Sequence, residues 1–315
     1  MNELKNSLLN CFRNPVSFNS FGSNKWDSIL ENNKLRIVPF RSNTILYEEN
    51  YYCNSPINNY TFIDQNEDQF CLLKVYLHRE YLMIYPPFFS ENYNYFDAIT
   101  VNKKIIKILK NIDIKIQILH IPFSNSLIDF FRIGLIEKIE IPTRIDMFIN
   151  LKLNIDQIWT SLRKSYKSLI NGEKKSVKVL SDYNHKIWEE CKRLHFKVSK
   201  RKTRSDKTWD LQYESIRLQE SKVFYIKENK KIIAFALFSF DIKTAYYGVA
   251  VNDRALFKKM NLSHIILWNA ILYFKNHNIE FLYMGDNMPN NYLEDKKLRS
   301  INDFKMGFAN FFKIN

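Results

Sequence analysis

Three β-prone segments follow one another closely in the second half of the chain, and they constrain its fold more than any other feature. They span residues 222–228, 232–240 and 244–251, and short polar stretches separate them. Such short connections join neighbouring antiparallel strands, so the sequence predicts a three-stranded meander. The middle segment is almost entirely apolar, which is typical of a strand buried on both faces.

Three helices are predicted before this meander. Asn154, followed three residues later by Gln157, predicts a capped helix, and Gly172 is a stop signal for it. A second helix is predicted to begin after Asp182, and a third covers residues 206–220. Apolar side chains recur at helical spacing in the first two, which leaves charged residues on the other side.

A second set of elements is predicted after the meander. A helix over residues 262–276 leads to a strand at 280–284, which ends at Gly285 and Asp286. A further helix and a last strand complete the chain. Helices, three antiparallel strands, a helix, a strand, a helix and a strand, in this order, predict an α+β domain.

The first half of the chain is predicted to alternate strands with short helices, as in an α/β layer arrangement, and we assign no catalytic motif to it. A chain of 315 residues suits two domains, and the sequence predicts boundaries at residues 1–150 and 151–315. The predicted strands of the first domain are residues 35–40, 70–76, 81–85, 114–119 and 139–142, and its predicted helices are residues 102–111 and 124–132.

The positive charge of the protein is confined to its second half. The chain carries a formal charge of +14, yet residues 1–150 contain 16 basic and 16 acidic side chains, and residues 151–315 contain 31 and 17. Residues 163–207 alone hold 15 basic and 5 acidic side chains. Such a field favours an anionic partner, which could be a phosphate compound, a nucleic acid or an anionic lipid surface.

Several classes of protein receive no support from the sequence. No segment approaches the roughly 18 to 20 uninterrupted apolar residues of a membrane-spanning helix. The first residues lack the basic-then-apolar layout of a secretion signal. The four cysteines lie far apart and the six histidines form no close pair, so we expect buried thiols and no metal site. The sequence therefore predicts a cytoplasmic protein without a bound metal.

Three stretches of the second half carry more specific patterns. They are WTSLRKSYKSLI at residues 159–170, HIILWNAI at 264–271 followed by YMGD at 283–286, and INDFKMGF at 301–308. Together they resemble the opening cationic helix, the helix-and-strand segment and the C-terminal FKxGFG signature of the second domain of FemAB-like proteins. These are the aminoacyltransferases of peptidoglycan cross-bridges and their relatives. Phe-Ala stands in place of Phe-Gly after Gly307.

The resemblance implies a GNAT-like acyltransferase fold of two tandem domains, the second clear and the first degenerate. It implies acetyl or aminoacyl transfer to an amine on a sugar nucleotide, a glycan or a peptidoglycan precursor, in bacterial cell-envelope or glycan biosynthesis. Acyl-CoA or aminoacyl-tRNA would serve as co-substrate, with no tightly bound cofactor. The central strands of such a domain splay to admit a pantetheine or peptide-like ligand.

The loop at residues 252–261 is the candidate contact for the acyl donor. In GNAT enzymes the equivalent loop holds a pyrophosphate with backbone N–H groups of a glycine-containing run. The present loop contains no glycine. Arg254, Lys258 and Lys259 are therefore the candidate donor-binding residues, through their side chains.

Three residues are candidates for catalysis. By the resemblance, Lys305 faces the acyl-transfer channel, where a cation can stabilise an oxyanion; a surface lysine on a terminal helix is the alternative. Asp286 can orient the attacking amine or take its proton, although turn chemistry also explains a Gly-Asp pair. Asp253, at the mouth of the cleft, is a rival for that role.

Basic side chains form the predicted substrate site. Arg163, Lys164 and Lys167 share one face of the first helix, which a solvated surface also explains. Arg201 and Arg204 lie in a short loop between two helices, and two arginines beside helix N-termini suit a diphosphate. If the first helix and this loop meet, they would hold a nucleotide-sugar or lipid-diphosphate headgroup.

Aromatic residues complete the set of candidates. Tyr246 and Tyr247 occupy successive strand positions, so one faces each side of the sheet, and either could line the cleft. Trp209 is expected to anchor its helix. His195 and His264 lie beside apolar residues on helices, where a packed histidine is the ordinary outcome.

A second class of function is a basic nucleic-acid-binding module without catalytic activity. Only the positive charge favours it, and no helix-turn-helix, zinc-finger, RNP or KH signature occurs. Within the enzyme interpretation, tRNA could be a partner as acyl donor. Peripheral contact with an anionic membrane is a further expectation, because glycan-lipid substrates reside there.

Overall fold

The computed structural model describes residues 2–33, 35, 37–51, 58–66, 68–77, 81–119, 145–173, 179–253, 255, 261–287 and 296–314. The chain divides into two compact units, Met1–Pro142 and Thr143–Asn315. Each unit has its own sheet and its own apolar cores.

The first unit is built on a five-stranded sheet. Its strands lie side by side in chain order, antiparallel except for the parallel last pair. The runs predicted at residues 70–76, 81–85 and 114–119 are confirmed as strands. The strands are β1 Pro15–Ser17, β2 Asn58–Asn66, β3 Gln69–Leu77, β4 Tyr81–Phe89 and β5 Lys115–Ile118.

Helices cover both faces of this sheet. A long helix packs on one face, and its stripe of Val101, Ile105 and Leu109 enters a core with Leu73 and Val75. Trp26 and Phe40 belong to the core on the other face. The helices are α1 Asn2–Leu9, α2 Phe18–Phe21, α3 Ser23–Asn32, α4 Ser42–Glu49 and α5 Tyr95–Lys110.

Two of the elements predicted in this unit differ from the observed ones. The strand predicted at residues 35–40 is wrong where a 3₁₀ turn spans Val38–Phe40, because Pro39 fixes its φ angle and offers no N–H to a strand ladder. The predicted helix 102–111 begins earlier, since the Asn94 side chain accepts hydrogen bonds from two backbone N–H groups of the first turn. The elements predicted at 124–132 and 139–142 lie outside the described residues.

The second unit is built on a seven-stranded sheet. Its strands are β6 Ile145–Asn150, β7 Val179–Leu180, β8 Ser221–Glu228, β9 Lys231–Phe240, β10 Thr244–Asn252, β11 Phe281–Asn287 and β12 Phe311–Ile314. Their spatial order is β12-β6-β11-β10-β9-β8-β7, and β10 and β11 form the one parallel pair among them. The predicted meander is confirmed as β8, β9 and β10.

Helices cover both faces of the second sheet as well. Their order before and after the meander is the predicted one, and the capping box of Asn154 and Gln157 is present. The helix predicted from Asn154 to Gly172 is broken at Leu162, whose extended backbone places its side chain in the core. The helices are α6 Ile155–Ser161, α7 Lys164–Glu173, α8 His185–Ser199, α9 Asp206–Arg217, α10 Leu262–Asn276 and α11 Lys296–Met306.

Side chains alternate along the strands of the meander, so each strand contributes to a core on either face of the sheet. Phe224 and Ile226 of β8 enter the core that contains α7 and α10. Val223 and Tyr225 of the same strand enter the core that contains α8 and α9. Because successive residues of a strand point to opposite faces, these two helix pairs lie on opposite sides of the sheet.

Candidate functional site

The centre of the second sheet contains a gap between its two parallel strands. The pairing of β10 with β11 consists of Thr244–Phe281, Ala245–Leu282 and Tyr246–Tyr283. Both strands continue well beyond the last of these pairs, β10 to Asn252 and β11 to Asn287. The strands therefore diverge, and beyond these pairs the facing edges of β10 and β11 are free of each other, as binding of an extended ligand requires. The splayed arrangement expected from the resemblance is present.

A bulge shapes the β10 side of this gap. The register of β10 against β9 shifts between Tyr247 and Ala250. Gly248 lies in the shift, and a Cβ there would stand 3.0 Å from the carbonyl oxygen of Leu237. A bulge of this kind bends the strand that carries it.

Lys305 and Asp286 lie close together where β11 enters the gap. Gly285 has a φ of +99°, and a Cβ at this position would be 2.8 Å from the Lys305 Nζ atom. Burial lowers the pKa of Lys305, and the neighbouring charge of Asp286 opposes that shift. The structure thus unites two of the three predicted catalytic residues, and Gly285 provides the space for the ammonium group.

A row of polar residues continues from Asp286 across the sheet. Asp286 is the register partner of Asp146 in β6, which in turn is the partner of Lys313 in β12. Asp146 is 1% exposed, and the Tyr283 hydroxyl donates a hydrogen bond of 3.0 Å to its Oδ1 atom. Burial lowers the pKa of Lys313, and the Asp146 carboxylate opposes this.

Sequence reasoning missed Asp146, Tyr283 and Lys313. Asp146 and Tyr283 are 137 positions apart, so only the strand pairing brings them together. The available signal was a polar residue inside the apolar run Ile145–Asn150, where an unpaired carboxylate would be costly. That run was assigned to the first domain, which hid its relation to Asp286.

The structure distinguishes the two adjacent tyrosines. Tyr247 packs against the core that contains α10, with its ring centroid 5.3 Å from that of Phe238, and burial raises its pKa. Tyr246 lies on the opposite face, 5.9 Å from the ring of Tyr283. Its hydroxyl donates to Asp241 over 3.1 Å. Tyr246 is thus the tyrosine that lies at the apex of the gap on the Asp146 face.

The FKMGF segment, at the end of α11, packs against the first turn of α7. Gly307 lies directly against the ring of Tyr166, and any Cβ would overlap that ring. The Arg163 backbone N–H donates to the Gly307 carbonyl over 3.0 Å, and the Tyr166 hydroxyl donates to the Asp303 carbonyl over 3.3 Å. The glycine of the signature is therefore required by packing, which holds Lys305 two residues before it.

His264 takes part in the same junction. Its ring centroid is 4.5 Å from that of Tyr166 and 5.1 Å from that of Phe304. Burial lowers its pKa to about 4, so the imidazole is neutral near pH 7. This environment is that of the packed histidine expected from the sequence.

The predicted meeting of the first helix with the arginine loop is wrong. Arg163, Lys164 and Lys167 lie at the start of α7, on the α10 side of the sheet. Arg201 and Arg204 lie between α8 and α9, on the other side. Both sheet faces are apolar and each must be covered, so the two sets of cations are separated by the sheet itself.

Arg204 is not the accessible diphosphate-binding residue that its position in a loop predicted. It is 2% exposed, and its guanidinium lies 3.8 Å from the ring centroid of Trp209. Trp209 is fully buried, as expected of a residue that anchors its helix. Burial, with the Arg204 charge as a smaller cause, lowers the pKa of His195 to about 4. Arg201 is exposed.

The other predicted cations make local contacts. Lys167 donates from Nζ to the Thr160 carbonyl over 2.7 Å, and the Arg163 guanidinium lies 5.3 Å from the centroid of Tyr166. Lys164 is exposed. Arg254, Lys258 and Lys259, the predicted donor-binding residues, lie outside the described residues.

Asp253 is held by an ion pair. Its Oδ2 atom accepts a hydrogen bond of 2.7 Å from Lys197 Nζ, and its Oδ1 atom accepts from the Ala255 N–H over 3.0 Å. These donors lower its pKa. A carboxylate stabilised in this way is a weak proton acceptor.

Three further features concern the described part of the chain as a whole. No helix there has both the length and the apolar character needed to cross a bilayer. No cluster of three or more histidine, cysteine, aspartate or glutamate side chains there is placed to hold a metal ion. Cys11, Cys71 and Cys191 are buried free thiols, and Cys53 is outside the described residues.

The architecture is a two-domain, FemAB-like arrangement of the GNAT type. FemX has a similar structure at 12% identity, with a TM-score of 0.55 over 87% of this chain and 89% of that one. L-PGS from Bacillus licheniformis gives 10% identity and a TM-score of 0.56 over 93% and 90% of the two chains. The C-terminal domain of a protein assigned as a lysylphosphatidylglycerol synthetase, from Agrobacterium fabrum, gives 11% and 0.52 over 81% and 84%.

Comparison by sequence adds no further relative. No family model matches the chain, and no curated protein matches it. The similarity therefore establishes the fold, and the predicted α+β class with a GNAT-like second domain is confirmed.

Proposed function

We propose that the protein is an N-acyltransferase in which an amine attacks an activated acyl group held in the gap between β10 and β11. The observation that carries this proposal is the position of Lys305 and Asp286 at the edge of that gap. A pantetheine or peptide-like donor that pairs with the free edge of a splayed strand would place its acyl carbonyl close to these two side chains. The names of the structural neighbours support acyl transfer.

The reaction needs a proton acceptor and an oxyanion stabiliser. The amine nitrogen attacks the carbonyl carbon, and the resulting oxyanion lies near the Lys305 ammonium. Asp286 accepts the amine proton as the new amide bond forms. The intermediate collapses with departure of the thiolate of a thioester donor or the ribose oxygen of an aminoacyl ester, which then takes up a proton.

The donor and acceptor are proposed as classes. The donor is acyl-CoA or aminoacyl-tRNA, bound as a co-substrate. The acceptor is an amine on a sugar nucleotide, a glycan or a peptidoglycan precursor, which suits a cationic unit that attracts anionic substrates. This chemistry belongs to cell-envelope or glycan biosynthesis in a bacterial cytoplasm, with contact to an anionic membrane if the acceptor is a lipid.

The alternative, a basic nucleic-acid-binding module without activity, has less support. An extended nucleic acid needs cations along one continuous surface. The cations of α7 and those of the α8–α9 loop lie on opposite faces of the sheet instead.

A turnover screen by mass spectrometry tests the proposal. Acyl-CoAs and aminoacyl-tRNAs would be offered against amino-sugar nucleotides and peptidoglycan precursors. We expect a product whose mass equals that of the acceptor plus one acyl group. Absence of product for every pair, with a folded protein, would count against an acyltransferase.

Lys305→Met is the matched active-site variant. It removes the charge and keeps the apolar stem, so kcat should fall about 100-fold while substrate affinity changes little. Lys243→Met, at a lysine that is 73% exposed, serves as the control and should retain full turnover. An effect of Lys305→Met confined to KM would contradict the oxyanion role.

A further inference from the structure

A pocket lies in the second unit, and Lys305 is not among the residues that line it. It has a volume of about 750 Å³ and opens between α8, the turn that joins β8 to β9, and the end of β10. Small-molecule sites usually have volumes of about 300–1,000 Å³. Leu194 and Ile232, which both belong to the core on the α8 side, give it an apolar floor.

Four cations line this pocket. Arg193 and Lys197 lie one helical turn apart on α8, and Lys230 and Lys231 come from the turn between β8 and β9. Within the described part of the chain, Lys197 pairs with Asp253, while Arg193, Lys230 and Lys231 form no ion pair. Three positive charges from two separate elements thus line one cavity, together with the carboxylates of Glu190 and Glu228.

The turn that carries two of these cations has an unusual backbone. Asn229 and Lys230 have φ angles of 48° and 65°, as in the tight turns that close antiparallel hairpins. Asparagine tolerates this conformation, but lysine does so at a cost, and glycine is the ordinary choice. Backbone strain of this kind tends to be retained at functional sites. Position 230 thus carries a charged side chain where a glycine would relieve the strain of the turn.

Three acidic residues also line the pocket. Asp253 is engaged by Lys197 and by the Ala255 N–H. Glu228 lies exposed beside the turn. Glu190 also lines the pocket, and its Oε2 atom is buried without a hydrogen-bond donor among the described residues. A ligand hydroxyl group offers the donor that such an oxygen lacks.

From these groups we infer that the pocket binds a phosphate ester of a sugar. The phosphate lies among Arg193, Lys230 and Lys231, because guanidinium and ammonium groups form charge-assisted hydrogen bonds to its oxygens. A sugar hydroxyl donates to Glu190, and the remaining body of the ligand rests on Leu194 and Ile232. Nucleotides and simple sugar phosphates share this chemistry. The pocket shares Asp253 and Ala255 with the loop at residues 252–261, but the inference rests on Arg193, Lys230 and Lys231, to which the proposed acyl transfer gives no role.

Isothermal titration calorimetry of the full chain with four probes tests the inference. The probes are ADP, ribose 5-phosphate, adenosine and inorganic pyrophosphate. We expect saturable binding of ADP, or of ribose 5-phosphate, or of both, and the preferred one identifies the source of the phosphate ester. Adenosine should bind more weakly than ADP because it lacks the phosphate.

Two variants of the pocket cations sharpen the test. Lys230→Gly removes one cation and relieves the turn, so it should raise Tm and weaken binding of the preferred ester about tenfold. Arg193→Ala should weaken binding by a similar factor. Lys103→Ala, which removes an exposed lysine from α5 of the other unit, is the charge-matched control and should leave affinity unchanged.

Three results would overturn the inference. The first is no binding of ADP or ribose 5-phosphate at millimolar concentration. The second is pyrophosphate binding as tightly as both esters, which would leave Glu190 and the apolar floor without a role. The third is an equal loss of affinity in Lys103→Ala and Arg193→Ala, which would reflect net charge alone.

Discussion

At the scale of single residues, the same side-chain type has different roles according to its burial. Lys305 is a partly buried ammonium beside Asp286, whereas Lys164 is exposed to solvent. Arg204 and Arg201 are three positions apart, yet Arg204 stacks on Trp209 and Arg201 is exposed. The sequence predicted Lys305 as a catalytic cation and the other three as cations of the substrate site. The depth at which each side chain lies, which depends on the packing around it, separates them.

Arg204→Ala is expected to destabilise the second unit. The guanidinium is 2% exposed and lies 3.8 Å from the Trp209 centroid, so its loss leaves a cavity over a buried indole. We expect a decrease of about 1–3 kcal/mol in the free energy of unfolding, measured by urea denaturation. Arg201→Ala is the control and should unfold like the parent protein. Equal stability of the two variants would mean that Arg204 does not anchor α9.

At the scale of secondary-structure elements, two glycines fix α11 against its neighbours. Gly285 in β11 makes room for the Lys305 ammonium, and Gly307 makes room for the Tyr166 ring of α7. Both glycines lie beside the candidate site. The packing at Gly285 and Gly307 therefore determines where the Lys305 side chain lies. The bulge between Tyr283 and Gly285 also brings Asp286 onto the same face as Asp146.

Gly285→Ala should impair turnover through Lys305. The new Cβ would stand 2.8 Å from Nζ, and the backbone φ of +99° disfavours any side chain. The ammonium must move away, and an oxyanion contact that is misplaced by about 1 Å loses much of its effect, so kcat should fall about tenfold or more. In steady-state kinetics, the double variant Gly285→Ala with Lys305→Met should be no slower than Lys305→Met alone. Additive losses would indicate that Gly285 acts by another route.

Gly307→Ala should affect stability first. The Tyr166 ring already occupies the space that a Cβ requires, and the backbone at this position accepts the Arg163 N–H. Overpacking of this kind costs about 1–3 kcal/mol. Thermal unfolding should show a lower Tm for Gly307→Ala, and Tyr166→Leu in the same chain should restore part of it by emptying the space. A Tm unchanged by Gly307→Ala would rule out the tight contact.

At the scale of the whole molecule, local order was easier to predict than spatial relations. The meander, α10 and the Asn154 capping box depend on residues close in sequence, and all three are confirmed. The separation of the cations by the sheet depends on which face each helix covers, a property that no single segment encodes. The Tyr283–Asp146 hydrogen bond likewise requires strands that are far apart in sequence. Candidate residues on one continuous segment, such as Lys305 in FKMGF, were therefore easier to identify than their partners.

Stability of the second unit should fall as the pH is lowered from about 6.5 to about 4, because two of its histidines are buried in neutral form. Burial lowers the pKa of His264 and of His195 from 6.5 to about 4. Between these values the unfolded chain binds protons that the folded chain does not, so acid favours unfolding. The ion-paired carboxylates Asp206, Glu214 and Asp253, whose pKa values are lowered, contribute only at the acid end of this range and below it.

Urea denaturation at pH 7 and pH 5 would measure this loss of stability. The double variant His195→Gln with His264→Phe should show a smaller difference between the two pH values, since neither replacement titrates. A difference as large as that of the parent protein would assign the acid sensitivity to other groups.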